Sequence, residues 1–158
     1  MSNVEIYLDS DMTHQNVLDF GFEHVIVATG AKWRKDGAGV NNTSPIAGSN
    51  GRNVFTPEDI AAGAKVSGPV VLFDDDNFYM GGVVAEQLRR DGHDVTLVTT
   101  ESCVSSWTEN TLEQHRIQAG LLKLGVEIIT SHNLSAVADD KVEIACIYSE
   151  RSHNIPAA

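Results

Sequence analysis

The sequence predicts an α/β fold: a Rossmann-like parallel sheet with flanking helices. Three observations carry that expectation. "VVLF" at 70–73, a helical pattern over 80–90 and "VTLV" at 95–98 follow one another as strand, helix and strand. Gly92 stands where that helix must stop, since the residue after a helix end often takes a left-handed conformation. "HVIVATGA" at 24–31 and "VEIIT" at 126–130 are continuous apolar runs, the composition of strands buried on both faces.

Taken in order, residues 4–8 ("VEIYL") alternate as a strand does, and Thr13 caps a short helix over about 14–19 that ends at Gly21. The run at 24–31 predicts a buried parallel strand. Residues 32–53, rich in Gly, Asn and Ser, predict a long connection whose turn-dense part is "SPIAGSNGRN". Thr56 caps the next helix, Pro57 fits its first turn, and Glu58 and Asp59 favour its positive end. That helix stops near Gly63, and Gly68-Pro69 leads into the strand at 70–73. In the helix over 80–90, Met80, Val83, Val84, Gln87 and Leu88 trace one face. "TENTLEQHRIQAGLLKLG" at 108–125 predicts a longer amphipathic helix, with Thr108 and Thr111 as alternative caps and Gly125 as its stop. Strands follow at 126–130 and 141–148, the latter as a hairpin arm with 136–140.

With 158 residues the chain suffices for one domain with a good core, or one domain plus a piece of another. Eleven basic against twenty-two acidic residues leave a net charge of −11, which excludes a nucleic-acid or anionic-membrane surface, since both need a basic footprint. The acidity serves solubility, or a face that steers a basic partner; no residue localises such a face. Cys103 and Cys146 lie far apart without metal-ligand spacing and predict free thiols in a reducing cytoplasm. Six histidines form no HExxH or HxH pattern, so no metal is expected. No signal pattern and no apolar run near the roughly 20 residues of a span are present, so a cytoplasmic chain off the membrane is expected.

The chemistry-bearing stretch is "DDDNFYMGG" at 74–82, placed where a dinucleotide turn would be. In GxGxxG the first glycine allows the tight turn, the second lets backbone approach the pyrophosphate, and the third lets helix and strand pack closely. Counting back from the helix stop puts those positions at Asp76, Phe78 and Gly81, so the packing glycine alone is retained. The Phe78 ring would take the volume of the phosphates. A carboxylate from Asp75 or Asp76 would supply internally the anion that a helix N-terminus attracts. The acid that would hold ribose hydroxyls at the end of the second strand is missing; Thr99 and Thr100 stand there, with Glu101 slightly later. A solvated helix cap is the plainer reading of the acids. A magnesium site on Asp74, Asp75 and Asp76 is disfavoured, because consecutive carboxylates point in different directions. The turn has the marks of a retired nucleotide site.

"VIVATGAKW", then "PIAG" and "VFTPEDI", then "VVLFDDDNFYMGGVVAEQL" resemble the C-terminal half of the iron–sulfur flavoproteins of the trimethylamine/dimethylamine dehydrogenase type. That NADH:flavin oxidoreductase, Old Yellow Enzyme-like family includes histamine dehydrogenase, dimethylglycine demethylase-like enzymes and dienoyl-CoA reductase. The resemblance covers about 4–151. It implies the NAD(P)-type domain of a disulfide-reductase-like two-domain flavoprotein module, with Ala28, Thr29 and Gly30 as the ATG strand where the chain leaves an FAD- or ADP-binding half. It further implies that residues 1–47 are terminal strands and linker of that preceding domain, and that 48–158 are a degenerate NAD(P)-type βαβ domain lacking its final strand. The aspartate-rich turn looks most like the amine dehydrogenase branch, which passes electrons to an electron-transfer flavoprotein; the dienoyl-CoA reductase branch retains a glycine-rich turn.

The FMN barrel, the 4Fe-4S cysteines and the ADP/FAD-binding GxGxxG of the family are absent from these residues, and two cysteines cannot replace the four thiolates of the cluster. The expectation is therefore a non-catalytic domain fragment of a C–N-oxidising parent, with no catalytic residues of its own. Its partner is the rest of that parent, and residues 24–31 are expected to fill a place in this sheet or in a second copy, as a homodimer. The competing readings are a working NAD(P)H- or ADP-binding domain and a docking face for an electron carrier around Trp33 and Trp107. Both tryptophans otherwise suit partial burial at loop–sheet junctions. His115 suits a polar helix face, without the partner base that acid–base work needs.

Overall fold

A computed structural model describes residues 3–149 and 151–158. The chain divides into two units, Met1–Ala31 and Lys32–Ala158. In the first, α1 (His14–Asp19) starts at Thr13, whose hydroxyl accepts from the Asn16 N–H while the Asn16 side chain returns to the Thr13 N–H. Tyr7, Phe20 and Phe22 form an aromatic row with centroid spacings of 5.9 Å. Residues 4–8 and 24–31, expected as strands, form no ladder here and stay exposed. A strand needs a neighbour for its backbone N–H and C=O groups, and these segments find none within the described residues.

The second unit is α/β, with a parallel sheet covered on both faces. Its strands are β1 (Val70–Asp74), β2 (Val95–Thr99) and β3 (Glu127–Ile129), in the order β1-β2-β3. The connections are α3 (Met80–Arg90) and α4 (Gln114–Lys123). Side chains alternate across the sheet. Val70, Leu72, Val95, Leu97 and Ile128 pack with Ala85, Leu88, Val104 and Leu121 on the helix side. Val71, Phe73, Val98 and Ile129 pack with Val142 and Ile144 on the other.

That other face is covered by an antiparallel sheet of β4 (His132–Val137), β5 (Lys141–Cys146) and β6 (Ser152–Pro156). β6 lies in the stretch expected to run out without a strand; it pairs antiparallel with β5, Val142 opposite Ile155. Its polar sequence, "SHNIP", conceals it, because mainly Ile155 turns inward. The three-stranded parallel sheet holds no place for residues 24–31.

Two helices depart from expectation. In α3 the buried residues are Gly81, Gly82, Ala85 and Leu88, whereas Met80 and Val83 are exposed. The small residues bring the helix axis close to the sheet and to Ile117 of α4, turning the apolar stripe away from the bulkier side chains. The helix expected from 108 begins only at Gln114, after a 3₁₀ turn at Ser106–Glu109. Ser105 and Leu112 stand in the left-handed region, at φ 53° and 62°, which an α-helix cannot pass through. The short helix α2 (Pro57–Ala61) starts at Thr56 with a reciprocal cap to Asp59, as its sequence predicts. Among the described residues no helix is long and apolar enough to cross a membrane.

Leu97 is fully buried beneath α3 and α4, so Leu97→Ala is expected to lower stability by about 2–5 kcal/mol. Val83→Ala on the exposed face of α3 should stay within about 0.5 kcal/mol of wild type. Urea melts of the two variants check the assignment of the helix faces.

Candidate functional site

Parallel strands end together, and the crevice beyond their carboxyl ends is where open α/β sheets bind ligands. Here β1 ends at Asp74, and residues 75–79 lead into α3. The three acids of the turn take three different environments. Asp74 is only 3% exposed and lies against Gly81 in the first turn of α3. A Cβ added to Gly81 would stand 2.5 Å from the Asp74 Cγ, so glycine is what lets carboxylate and helix approach. One oxygen of Asp74 accepts from the Asn77 N–H at 3.1 Å; the other is buried without a hydrogen-bond partner. Burial pushes the carboxyl up to about 6, opposed by the Asn77 N–H and reinforced by the charges of Asp76 and Asp75.

Asp75 turns the other way, into the long connection. Its carboxylate accepts from the Val40 N–H at 2.6 Å, the Asn41 N–H at 3.2 Å and the Asn41 side-chain amide at 2.6 Å. Successive backbone N–H groups closing on an anion are a form of anion seat, and a side chain of the protein fills this one. Gly39 makes room for it: a Cβ there would lie 2.1 Å from an Asp75 oxygen. Asn41 also donates to the Thr100 hydroxyl at 2.9 Å, and Asn42 exchanges two amide bonds of 2.9 Å with Asn133 of β4. The Gly- and Asn-rich connection is thereby strapped across the carboxyl edge of the sheet. Asp76 is exposed.

Asn77 is buried in the left-handed region at φ 58°, a conformation Asn tolerates better than most residues. Its side-chain oxygen accepts from the Thr99 hydroxyl at 2.9 Å and its backbone carbonyl accepts from the Trp107 N–H at 3.0 Å. Phe78 is 40% exposed and meets Tyr79 edge to face, with centroids 4.6 Å apart. The Tyr79 hydroxyl donates to Glu113 at 2.5 Å, and with Arg116 it holds the Glu113 carboxyl below its usual range.

Asp76, Phe78 and Gly81 thus share one turn. Ala28, Thr29 and Gly30 lie in the first unit, in an exposed irregular segment. The carboxylate beside the start of α3 belongs to Asp74, not to Asp75 or Asp76, because the last residue of β1 points inward while Asp75 is drawn off by the 39–41 backbone. With the three carboxylates diverging, they do not converge on one ion, and the described residues hold no group of three or more ligands suited to a metal. The sequence reading missed Asn77, Thr99 and Asn41 as parts of the turn. An Asn after three acids, a residue type suited to positive φ, was the available signal for the first. Trp107 is 61% exposed, not packed at a junction, because its backbone bond to Asn77 sets it outward. Trp33 is half-exposed, its N–H bonded to Glu58, and His115 faces solvent on α4. A shallow depression of about 370 Å³ lies apart from the turn, along Val83, Glu86, Gln87, Arg90 and Asp91 of α3 and its end.

Residues 55–155 match the family described as OYE-like second alpha/beta domain. The chain is 34% identical over 142 residues to dimethylamine dehydrogenase of Hyphomicrobium sp. (strain x), covering 88% of this chain and 19% of that protein. Histamine dehydrogenase of Rhizobium sp. 4-9 superposes with a TM-score of 0.81 at 42% identity, over 99% of this chain and 24% of its own. The 6-hydroxypseudooxynicotine amine oxidase of Pseudomonas geniculata N1 superposes with a TM-score of 0.81 at 40% identity, over the same 99% and 24%. The chain therefore spans about a fifth to a quarter of the length of these relatives.

Two outcomes are expected from the turn. The folded pKa of Asp74 lies above its unfolded value of 3.8, so its contribution is fully present below about pH 4 and is lost as pH rises through 6. Asp74→Asn keeps an acceptor for Asn77 and should gain on wild type progressively between pH 4 and 7, by at most about 3 kcal/mol; urea melts across that range measure it. Asp75→Ala should cost about 1–3 kcal/mol and speed hydrogen exchange at the Val40 and Asn41 amides, which lose their acceptor.

Proposed function

Because this chain belongs to the OYE-like second alpha/beta domain family, we propose that it is the non-catalytic, Rossmann-like domain of an amine dehydrogenase- or N-demethylase-type flavoprotein oxidoreductase. In this reading residues 48–158 are a degenerate NAD(P)-type domain and 1–47 carry terminal strands and linker of a preceding FAD/ADP-like domain. FMN, a 4Fe-4S cluster and ADP or FAD belong to the parent outside these residues. The parent oxidises a C–N bond and hands its electrons to an electron-transfer flavoprotein. The role of this domain is to build the parent and to present surfaces, not to exchange hydride.

The observation that carries the reading is that the turn supplies its own anions. A pyrophosphate at the start of α3 would meet the Asp74 carboxylate beside Gly81, and the backbone N–H groups of 40–41 are already given to Asp75. Phosphate and carboxylate of like charge, a few ångströms apart and partly out of water, repel strongly. The residues present do not fit the pyrophosphate of a dinucleotide, and Phe78 adds a ring where the fingerprint has its second glycine.

Calorimetric titration with NADH, NADPH and ADP tests this. Wild type is expected to show no binding heat at millimolar ligand, and Phe78→Gly alone to remain silent while Asp74 and Asp75 stay in place. Micromolar binding of NADH or NADPH by wild type would replace the reading with a working cofactor domain.

A further inference from the structure

Between β2 and α4 the chain places a leucine where backbone geometry favours glycine, and then turns it to water. The 3₁₀ turn at Ser106–Glu109 is closed by the Glu113 N–H on the Thr108 carbonyl at 3.0 Å and the Leu112 N–H on the Glu109 carbonyl at 3.1 Å. Leu112 sits in the left-handed position of that closure, at φ 62°. Glycine or asparagine is the ordinary occupant of such a position, and a bulky residue there is an outlier. Its side chain is 92% exposed, so it adds nothing to the core.

Leu112 is not alone. Trp107 and Phe78 are also exposed, and two links hold all three in one patch. The Trp107 N–H is bonded to the Asn77 carbonyl, next to Phe78; the Tyr79 hydroxyl reaches Thr111 and Glu113, which flank Leu112. The floor beneath is rigid, with Val104, Ser105 and Thr108 fully buried and the Thr108 hydroxyl donating to the Ser105 carbonyl at 2.7 Å. The neighbouring exposed charges are acids, Asp76 and Glu109, with Glu113 beside them; the adjacent base, Arg116, is engaged by Glu113 at 2.5 Å.

We propose that Phe78, Trp107 and Leu112 form a docking surface for a second protein whose contact face is apolar at its centre and ringed by Lys and Arg. An aromatic and aliphatic centre held on fixed backbone is the composition of an interface core. The acidic rim selects the sign of the partner's charges. A second copy of this chain, at net −11, is repelled by the same rim, and so is an anionic membrane. The inference goes beyond the scaffold role, since it holds whether or not the turn binds a nucleotide.

The test uses a peptide with a Leu/Phe centre flanked by Lys and Arg, and its counterpart flanked by Asp and Glu, titrated calorimetrically against the full chain. In parallel, Trp33→Phe leaves Trp107 as the fluorescent reporter. The basic peptide should bind saturably, shift Trp107 emission to the blue and weaken with salt, while the acidic one should not bind. Leu112→Gly should weaken binding by about tenfold and at the same time raise Tm by about 2 °C, because it relieves the left-handed leucine. The proposal is overturned by absent binding, by equal binding of the acidic peptide, by a Leu112→Gly variant that binds as wild type does, or by one that melts lower. Dimerisation through Trp107 in sedimentation, or partition of Trp107 into phosphatidylcholine vesicles, would assign the surface to another occupant and overturn it as well.

Discussion

The structure of the second unit depends on one constraint, that a parallel sheet must be covered on both faces. Val70 and Leu72 face the helices while Val71 and Phe73 face the antiparallel sheet, and β2 repeats the alternation through Leu97 and Val98. Because both faces are occupied, the strands can end only at an edge, and the carboxyl edge is where backbone groups and charges become accessible. The position of Asp74 follows from this. It is the last residue of β1, still buried by the layers on either side, and it meets the first turn of α3 because Gly81 has no side chain to hold it off.

At that edge the chain satisfies itself. Asp75 occupies backbone N–H groups that otherwise suit an anion, Asn77 takes the left-handed bend, and Thr99 turns its hydroxyl to the Asn77 side chain. The cost is concentrated in Asp74, whose second oxygen is buried without a partner. Burial and two neighbouring carboxylates oppose its ionisation more than the Asn77 N–H supports it. An unsatisfied buried group in an otherwise well-packed sheet points to a site shaped by an older demand than stability.

The parts of the fold set by local chemistry were legible in the sequence. Thr56-Pro57, the apolar strands at 70–73 and 95–98 and the bounds of α3 were read from capping, periodicity and the glycine after the helix. What failed depends on distant partners. Residues 4–8 and 24–31 have strand composition, but pairing is not a local property. Residues 106–113 read as helix because propensity does not register that Ser105 and Leu112 are held left-handed by hydrogen bonds to Thr108 and Glu109. Counting to the glycine positions placed the turn at Asp76, Phe78 and Gly81, yet which acid would face the helix was a matter of side-chain direction at the end of β1. The seat of Asp75 was out of reach, because its donors lie some thirty-five residues upstream.

The strap over the edge also bears on the paths open to this sequence in evolution. Replacing Asp75 leaves the Val40 and Asn41 amides without an acceptor, and replacing Asp74 by an apolar residue leaves the Asn77 amide likewise. Each such orphaned group costs about 1–3 kcal/mol before any phosphate could compensate it. A side chain at position 39 would collide with Asp75 for as long as that aspartate remains. The changes needed for cofactor binding are therefore coupled, and each taken alone lowers fitness through stability. The turn behaves as a ratchet: variation can drift around it, but single steps do not lead back through it.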